Sequence, residues 1–300
     1  MRFLEFLNEE QARKYSIEGA CPDIKSECQP FLTSAPDYPL FRGISRNRND
    51  ETVLFSNQPT NRSPRDSNPP FNCLFNLMIM ASFGIPDIRK RSIFCTGDRT
   101  TTFEYGYPHY VFPKGDYKIL YSMSVIDSIN YEDEWSKDIA HYIIDHVKEL
   151  KHTEAYDLRI DSLFYRYADE LTSWNKDWMT NPQEDQAEWF LEKFKLCVST
   201  PLIKSKLDHL EPRELVKLFH DALKEMGTKL YTDDQNIKRA IKSGNEIFLY
   251  ESEGYYAVPR GPLVDDYIKF YSKNENDHVN HSAQHDQYYE YLLKMVNNEI

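Results

Sequence analysis

The chain predicts an α+β fold in which a β-sheet core is interrupted by a helical insert. Three observations carry that expectation. The runs Ser92–Thr96 (SIFCT), His109–Pro113 (HYVFP) and Lys118–Ser122 (KILYS) are short, rich in aromatic and β-branched residues, and separated by turn formers, as strands are. Strand pattern returns late in the chain, at Asn245–Tyr250 and Tyr255–Val258. Between these groups, from about Trp135 to Lys242, Glu, Lys, Leu and Trp recur at helical spacing with few glycines.

Taken in order, the first 20 residues carry Phe3, Leu4, Phe6 and Leu7 ahead of a charged run and suit a short amphipathic helix that caps the core. Cys21 to Pro70 is rich in Pro, Asn, Ser and Asp and predicts long loops, interrupted by short strands at Leu40-Phe41 and Val53-Leu54-Phe55. Phe71–Phe83 is apolar almost all round, so a buried helix is expected there, ended by Gly84 and Pro86. One helical turn, Thr100–Tyr105, separates the first two aromatic strands. The insert predicts helices over Ile139–Leu150, Tyr156–Trp174, Gln186–Cys197 and Arg213–Met226, the last following a proline at its start. Ser272–Gln287 is a polar stretch. Tyr288–Val296 then predicts a terminal helix docking through Tyr289, Leu292 and Leu293. The expected layout is one domain over 1–300, with core 36–130 plus 243–270, an insert over about 134–242, and a polar tail with terminal helix over 271–300.

Composition narrows the function classes. Hydrophobic residues make up 40% and aromatics 14%, too much apolar surface to leave solvated, so a real core is expected. The formal charge of -12 disfavours general coating of nucleic acid or anionic lipid, while leaving room for a small basic groove. Cys21, Cys28, Cys73, Cys95 and Cys197 are spread without a Cys-x-x-Cys pair, which predicts neither a disulfide framework nor a zinc site and fits a reducing compartment. With acids inside the only apolar patch of the amino terminus and no long apolar span, the expected location is cytoplasmic, with no membrane partner. His278, His281 and His285 read as part of a solvated linker, and no metal is expected. Cys95 with His109 reads as a core thiol rather than a nucleophile. His141 and His146 are five apart and do not share a helix face.

Three segments are left to carry chemistry: Leu40-Phe41-Arg42-Gly43, Ser92 through Tyr105 with Phe94, Thr96 and Thr102, and Asn245-Glu246-Ile247-Phe248-Leu249-Tyr250. Each alone reads as ordinary sheet. Thr102 and Tyr105 are three apart and can face one ligand from a single helical turn. Arg62 and Arg65, and Arg89, Lys90 and Arg91, are either phosphate-binding groups or solvated loop charges.

Together, in this order, the segments resemble the ADP-ribosyltransferase superfamily. LFRG resembles its first-strand motif in an Arg-type form, and SIFCTGDRTTTFEYG and NEIFLY are similar to the second and third motifs of the poly(ADP-ribose) polymerases. The resemblance covers about half the chain and implies a split β-sheet core that binds NAD as substrate. It gives Glu246 and Arg42 catalytic roles and assigns Arg42, Gly43, Phe94, Thr96, Thr102 and Tyr105, with Arg65, to NAD. Glu246 would stabilise positive charge on the ribose as the nicotinamide bond breaks. Whether Thr96 or Ser92 contacts Glu246 stays open. The residue two before Glu246 is Gly244, without the Glu or Gln of arginine-modifying toxins. The implied activity is therefore mono-ADP-ribosyl transfer to a macromolecule, RNA ahead of protein. The implied setting is a toxin or effector of a toxin-antitoxin or phage-host conflict, with a neutralising antitoxin as a possible partner. The alternatives are an NAD glycohydrolase and a catalytically silent binding module on the same fold.

Overall fold

A computed structural model describes residues 12–45, 51–60, 68–150, 153–261 and 286–300. The elements, in chain order, are β1 (Arg13–Tyr15), α1 (Ile17–Glu27), α2 (Gln29–Ser34), β2 (Phe41–Ile44), β3 (Val53–Asn57), α3 (Pro69–Phe83), α4 (Ile88–Arg91), β4 (Ile93–Thr96), α5 (Arg99–Thr102), β5 (Tyr107–Lys114) and β6 (Lys118–Tyr121). They continue with α6 (Glu132–His146), α7 (Ile160–Leu171), α8 (Lys176–Thr180), α9 (Glu184–Leu196), α10 (Pro201–Leu207), α11 (Pro212–Leu230), α12 (Ile237–Ser243), β7 (Glu246–Tyr250), β8 (Gly254–Pro259) and α13 (Gln287–Asn297). The chain forms two compact units. One comprises residues 1–62, 91–126 and 233–300, and the other 63–90 and 127–232.

The first unit is built on an eight-stranded sheet of order β1-β3-β8-β5-β2-β4-β7-β6, antiparallel at every pairing. The joint between β2 and β4 is a single pair, Phe41 with Thr96, whereas β2 pairs with β5 along four residues. Strand alternation sends Ile93, Cys95, Ile247 and Leu249 into one apolar cluster with Ile237, Ala240 and Ile241 of α12. Gly97, one residue past β4, has no room for a side chain, because a β-carbon there would collide with the carbonyl of Ile241. The terminal helix docks through Tyr289, Leu292 and Val296, with Leu293 only partly buried. Tyr289 lies 5.3 Å from the ring of Tyr110 and 6.0 Å from that of Phe112, and each such buried ring contributes about 2–3 kcal/mol. At the other flank the Glu27 carboxylate accepts from Tyr256 Oη at 2.6 Å and Lys114 Nζ at 3.1 Å, tying α1 to β8 and β5. The helix expected in the first 20 residues falls largely outside the described residues. Arg13–Tyr15 is a strand paired with β3, and α1 begins only after the Ser16 cap.

In the second unit α3 starts where Asn68 Oδ1 accepts from the Phe71 N–H at 2.8 Å, with prolines in its first turn, and it ends at Gly84 in the left-handed region at φ 72°. Its aromatic side packs on Trp135, with ring centroids 6.1 Å away at Phe71 and 6.0 Å at Phe75. Its carboxyl half meets α11 so closely that a β-carbon on Gly227 would collide with Ser82 Oγ. The helix expected from Ile139 starts earlier, at Glu132, because Glu132, Asp133 and Glu134 occupy a first turn where the helix dipole favours acids. The single helix expected over Tyr156–Trp174 is broken. Leu158 forms a β-bridge with Val198, and α7 begins only at Ile160.

Candidate functional site

The sheet register brings the three sequence segments to one end of one sheet. β2 begins at Phe41, β4 ends at Thr96 and β7 begins at Glu246, and these residues form a continuous row: Tyr110 opposite Phe41, Phe41 opposite Thr96, Thr96 opposite Glu246. Two ladder steps separate Phe41 from Glu246, roughly 10 Å between backbones. Arg42 is the next residue along β2.

Arg42 is only 8% exposed, and its Nε is buried without a hydrogen-bond partner. Among the described residues its guanidinium faces no carboxylate. What it meets is the ring of Tyr255 on β8, 5.6 Å from the guanidinium carbon to the centroid. A cation–π contact is worth about 0.5–2 kcal/mol, far less than the several kcal/mol that taking a cation out of water costs. Among the described residues, no carboxylate offsets the burial of this cation.

Gly43 follows, and its missing side chain is a packing requirement. A β-carbon would collide with the Thr102 carbonyl oxygen and stand 2.9 Å from Cβ of Tyr105. α5 and the turn after it thus lie directly against β2, which joins Arg42-Gly43 to Thr102 and Tyr105. The turn is fastened by Asp98, whose carboxylate caps α5 by accepting from the Thr100 N–H at 2.8 Å, Thr100 Oγ1 at 2.6 Å and Thr101 Oγ1 at 3.0 Å. Burial pushes the Asp98 carboxyl up, but the hydrogen bonds from Thr100 and Thr101 outweigh it and hold it below the usual Asp value. Thr102 is buried and donates its hydroxyl to the Arg99 carbonyl at 2.6 Å, while Tyr105 stays on the surface.

On the other side of the row, Phe94, Thr96, Glu246 and Phe248 share a face, with the Phe94 and Phe248 rings edge to face at 5.0 Å. The backbone that carries Glu246 is held from both sides. Thr96 Oγ1 donates to the Gly244 carbonyl at 2.7 Å and accepts from the Asp98 N–H at 3.0 Å. The Glu246 N–H donates to the Ile126 carbonyl at 3.0 Å, and the buried Asn245 carboxamide donates to the Ser122 carbonyl at 2.9 Å. Ser122 in turn accepts from the N–H groups of Ser124 and Val125, so the loop that receives Glu246 is itself ordered. The Ser92 hydroxyl is buried and has no hydrogen-bond partner among the described residues.

Arg65 and Arg62, and the histidines 278, 281 and 285, lie outside the described residues. Arg89 is buried in the helical unit, over the Phe71 ring at 4.8 Å and donating to Ser128 Oγ at 2.9 Å. Cys95 belongs to the apolar cluster, and His109 stands opposite Arg42 in the ladder, its Nδ1 within hydrogen-bond distance of the Tyr107 carbonyl at 2.9 Å. Sequence reasoning missed Tyr255 and Ser122. The Asn beside Glu246 was visible as a residue, but its partner on a loop far back in the chain was not.

No family model matches the chain, and no similarity to a curated protein or a solved structure was found. The architecture is a mixed α+β one with an eight-stranded antiparallel sheet and many helices. No described helix is long and apolar enough to cross a membrane.

Proposed function

We propose that this protein is a mono-ADP-ribosyltransferase that cleaves the nicotinamide–ribose bond of NAD and transfers ADP-ribose to a macromolecular acceptor, with RNA ahead of protein. The observation that carries the reading is Arg42: a buried guanidinium with no carboxylate partner among the described residues, one residue from the row that leads through Thr96 to Glu246. A dinucleotide supplies the missing anion through its pyrophosphate, which Arg binds in a forked, planar way. Gly43 lets the turn that carries Tyr105 pack directly against β2 beside Arg42, and the Tyr105 ring, at the surface, would offer a face for the nicotinamide cation. The single-pair joint between β2 and β4 divides the strands into groups of five and three, which suits the split sheet of this superfamily.

In the proposed reaction the C–N bond breaks and its electron pair leaves with nicotinamide. Glu246 stabilises the positive charge that builds on the ribose carbon. A nucleophile of the acceptor then bonds that carbon and gives up its proton to Glu246 in this scheme.

The test is incubation of the purified chain with NAD labelled on its adenylate phosphate, alone and with cell lysate, beside Glu246→Gln. Nicotinamide release is followed by chromatography, and label is sorted by protease and nuclease digestion. Wild type is expected to exceed the variant by about 100-fold or more, the scale of losing one charge-stabilising group. Equal release from both proteins rejects the reading. Free ADP-ribose as the sole product makes the enzyme a glycohydrolase, and label confined to protein removes RNA as acceptor.

A further inference from the structure

A second charged surface lies where β7 begins. α12, with the sequence IKRAIKS, carries Lys238, Arg239 and Lys242 and no acid. Arg239 is engaged by Asp234 at 3.7 Å. Lys238 and Lys242 are exposed, and among the described residues neither has an ion-pair partner. Two features of their placement work against helix stability. Like charges four residues apart repel by about 0.2–0.5 kcal/mol, and Lys238 sits in the first turn, where the helix dipole disfavours a cation. Both ammonium groups converge on one ring, Tyr38, at 6.0 Å from Lys238 Nζ and 4.8 Å from Lys242 Nζ. The two ammonium groups thus gather beside one aromatic face, with Asp37 next to Tyr38 in the chain and Asp234 already engaged by Arg239.

We infer that α12 and Tyr38 form a docking strip for single-stranded RNA, a deepening that rests on the transferase reading for its purpose though not for its test. Lysines are mobile point charges that suit a flexible phosphate backbone better than one fixed anion, and a tyrosine ring stacks an unpaired base of any identity. Position supplies the functional link. α12 ends at Gly244, two residues before Glu246, and Tyr38 stands three residues before Phe41 and four before Arg42. The two components of the strip thus lead directly into the two strands that carry the candidate site, and an RNA strand held there lies at the end of the sheet where β2 and β7 begin.

The experiment uses the full chain without NAD and a fluorescent oligoribonucleotide of about 15 nucleotides, near the upper site size of a single binding module. Anisotropy is read over a range of salt. Wild type is expected to bind, and Lys238→Glu/Lys242→Glu to weaken binding at least about tenfold and flatten the slope of log Kd against log salt by about 1.4, or 0.7 for each lost phosphate contact. Tyr38→Ala is expected to weaken binding about fivefold or more with the slope unchanged. Lys238→Gln/Lys242→Gln repeats the test without added acid, and Lys204→Glu/Lys206→Glu on α10 is the control. The inference is overturned if wild type does not bind, if the α10 control weakens binding as much as the α12 variant, or if the deoxy or duplex form of the same sequence binds more tightly. Nicotinamide release by wild type, measured separately, decides the transferase reading, so either can fail without the other.

Discussion

Thr96 stands directly opposite Glu246 in the ladder between β4 and β7, and its hydroxyl grips the chain two residues upstream, at the Gly244 carbonyl 2.7 Å away. Gly244 is left-handed at φ 72°, so this bond fixes the turn from which β7 departs. Thr96→Val keeps the shape and removes the hydroxyl. It is expected to cost about 1–2 kcal/mol, because the Asp98 N–H also loses its acceptor, and to lower nicotinamide release while leaving NAD affinity near wild type. Thr96→Ser should restore both. Unchanged turnover in the valine variant would show that the turn does not set the carboxylate.

Arg42 provides a test that separates binding from folding. Replacing it with Met, close in volume, removes a buried charge that has no carboxylate partner among the described residues. Arg42→Met is therefore expected to raise the thermal midpoint of the protein without NAD, by the equivalent of about 1–2 kcal/mol, and, on the proposed reading, to abolish the rise in midpoint expected when NAD is added to wild type. A lower midpoint without NAD would mean that the guanidinium has a structural partner.

Asn245→Ala takes the donor from the buried bond to the Ser122 carbonyl. A loss of about 1–3 kcal/mol is expected, with faster amide exchange confined to the loop around residues 122–126 and the start of β7. Exchange that rises evenly over the sheet would contradict the local role.

Two glycines report on packing, one in each unit. Gly97→Ala drives a methyl into the backbone of Ile241, against its carbonyl oxygen, and Gly227→Ala drives one chiefly into the Ser82 side chain, against Oγ and 2.8 Å from Cβ. Denaturant titration should therefore show a larger loss for Gly97→Ala, about 2–3 kcal/mol, than for Gly227→Ala, about 1–2 kcal/mol. The reverse order would show that the backbone of α12 gives way more easily than the α3–α11 contact.

The Glu27–Tyr256 pair makes stability depend on pH at both extremes. Burial acts to raise the Glu27 carboxyl, but its hydrogen bonds from Tyr256 and Lys114 prevail and lower it. Its contribution is then complete above the ordinary Glu value of about 4.3 and is lost as pH falls through the lowered folded value. Tyr256 is raised by burial and by its bond to the Glu27 carboxylate, and Tyr121 is raised to about 12 by burial and by Asp234. Those contributions are complete below the ordinary Tyr value of about 10 and fade as pH rises above it. Glu27→Gln should flatten the acid side of a plot of stability against pH. An acid limb identical to wild type would sink this account.

Much of the sheet was legible because its strands write their period into the chain. HYVFP and NEIFLY became β5 and β7, and the SIFCT run became β4 with its turn residues just beyond. The helix over Phe71–Phe83 was equally plain, but a segment apolar on every side has no stripe to say which partner it packs against. Nothing local marks it as belonging with α7 and α11. Leu158 reads as a helical residue until Val198 pairs with it. At the site, Glu246 and Arg42 could be picked out by residue type and order. Tyr255 could not, because an aromatic in a β8 run looks the same whether it stacks on another ring or on a guanidinium from a distant strand.

The placement of β7 also bears on how the protein is made. β6 has β7 as its sole neighbour in the sheet and β4 has only the Phe41 pair on its other side, so both strands remain raw edges until the ribosome has passed residue 250. The helical unit has all its segments by residue 232 and can consolidate first. Nascent or truncated chains that stop short of β7 would expose two sticky edges and lack Glu246 altogether, so the stretch that seals the sheet also brings in the carboxylate of the proposed site.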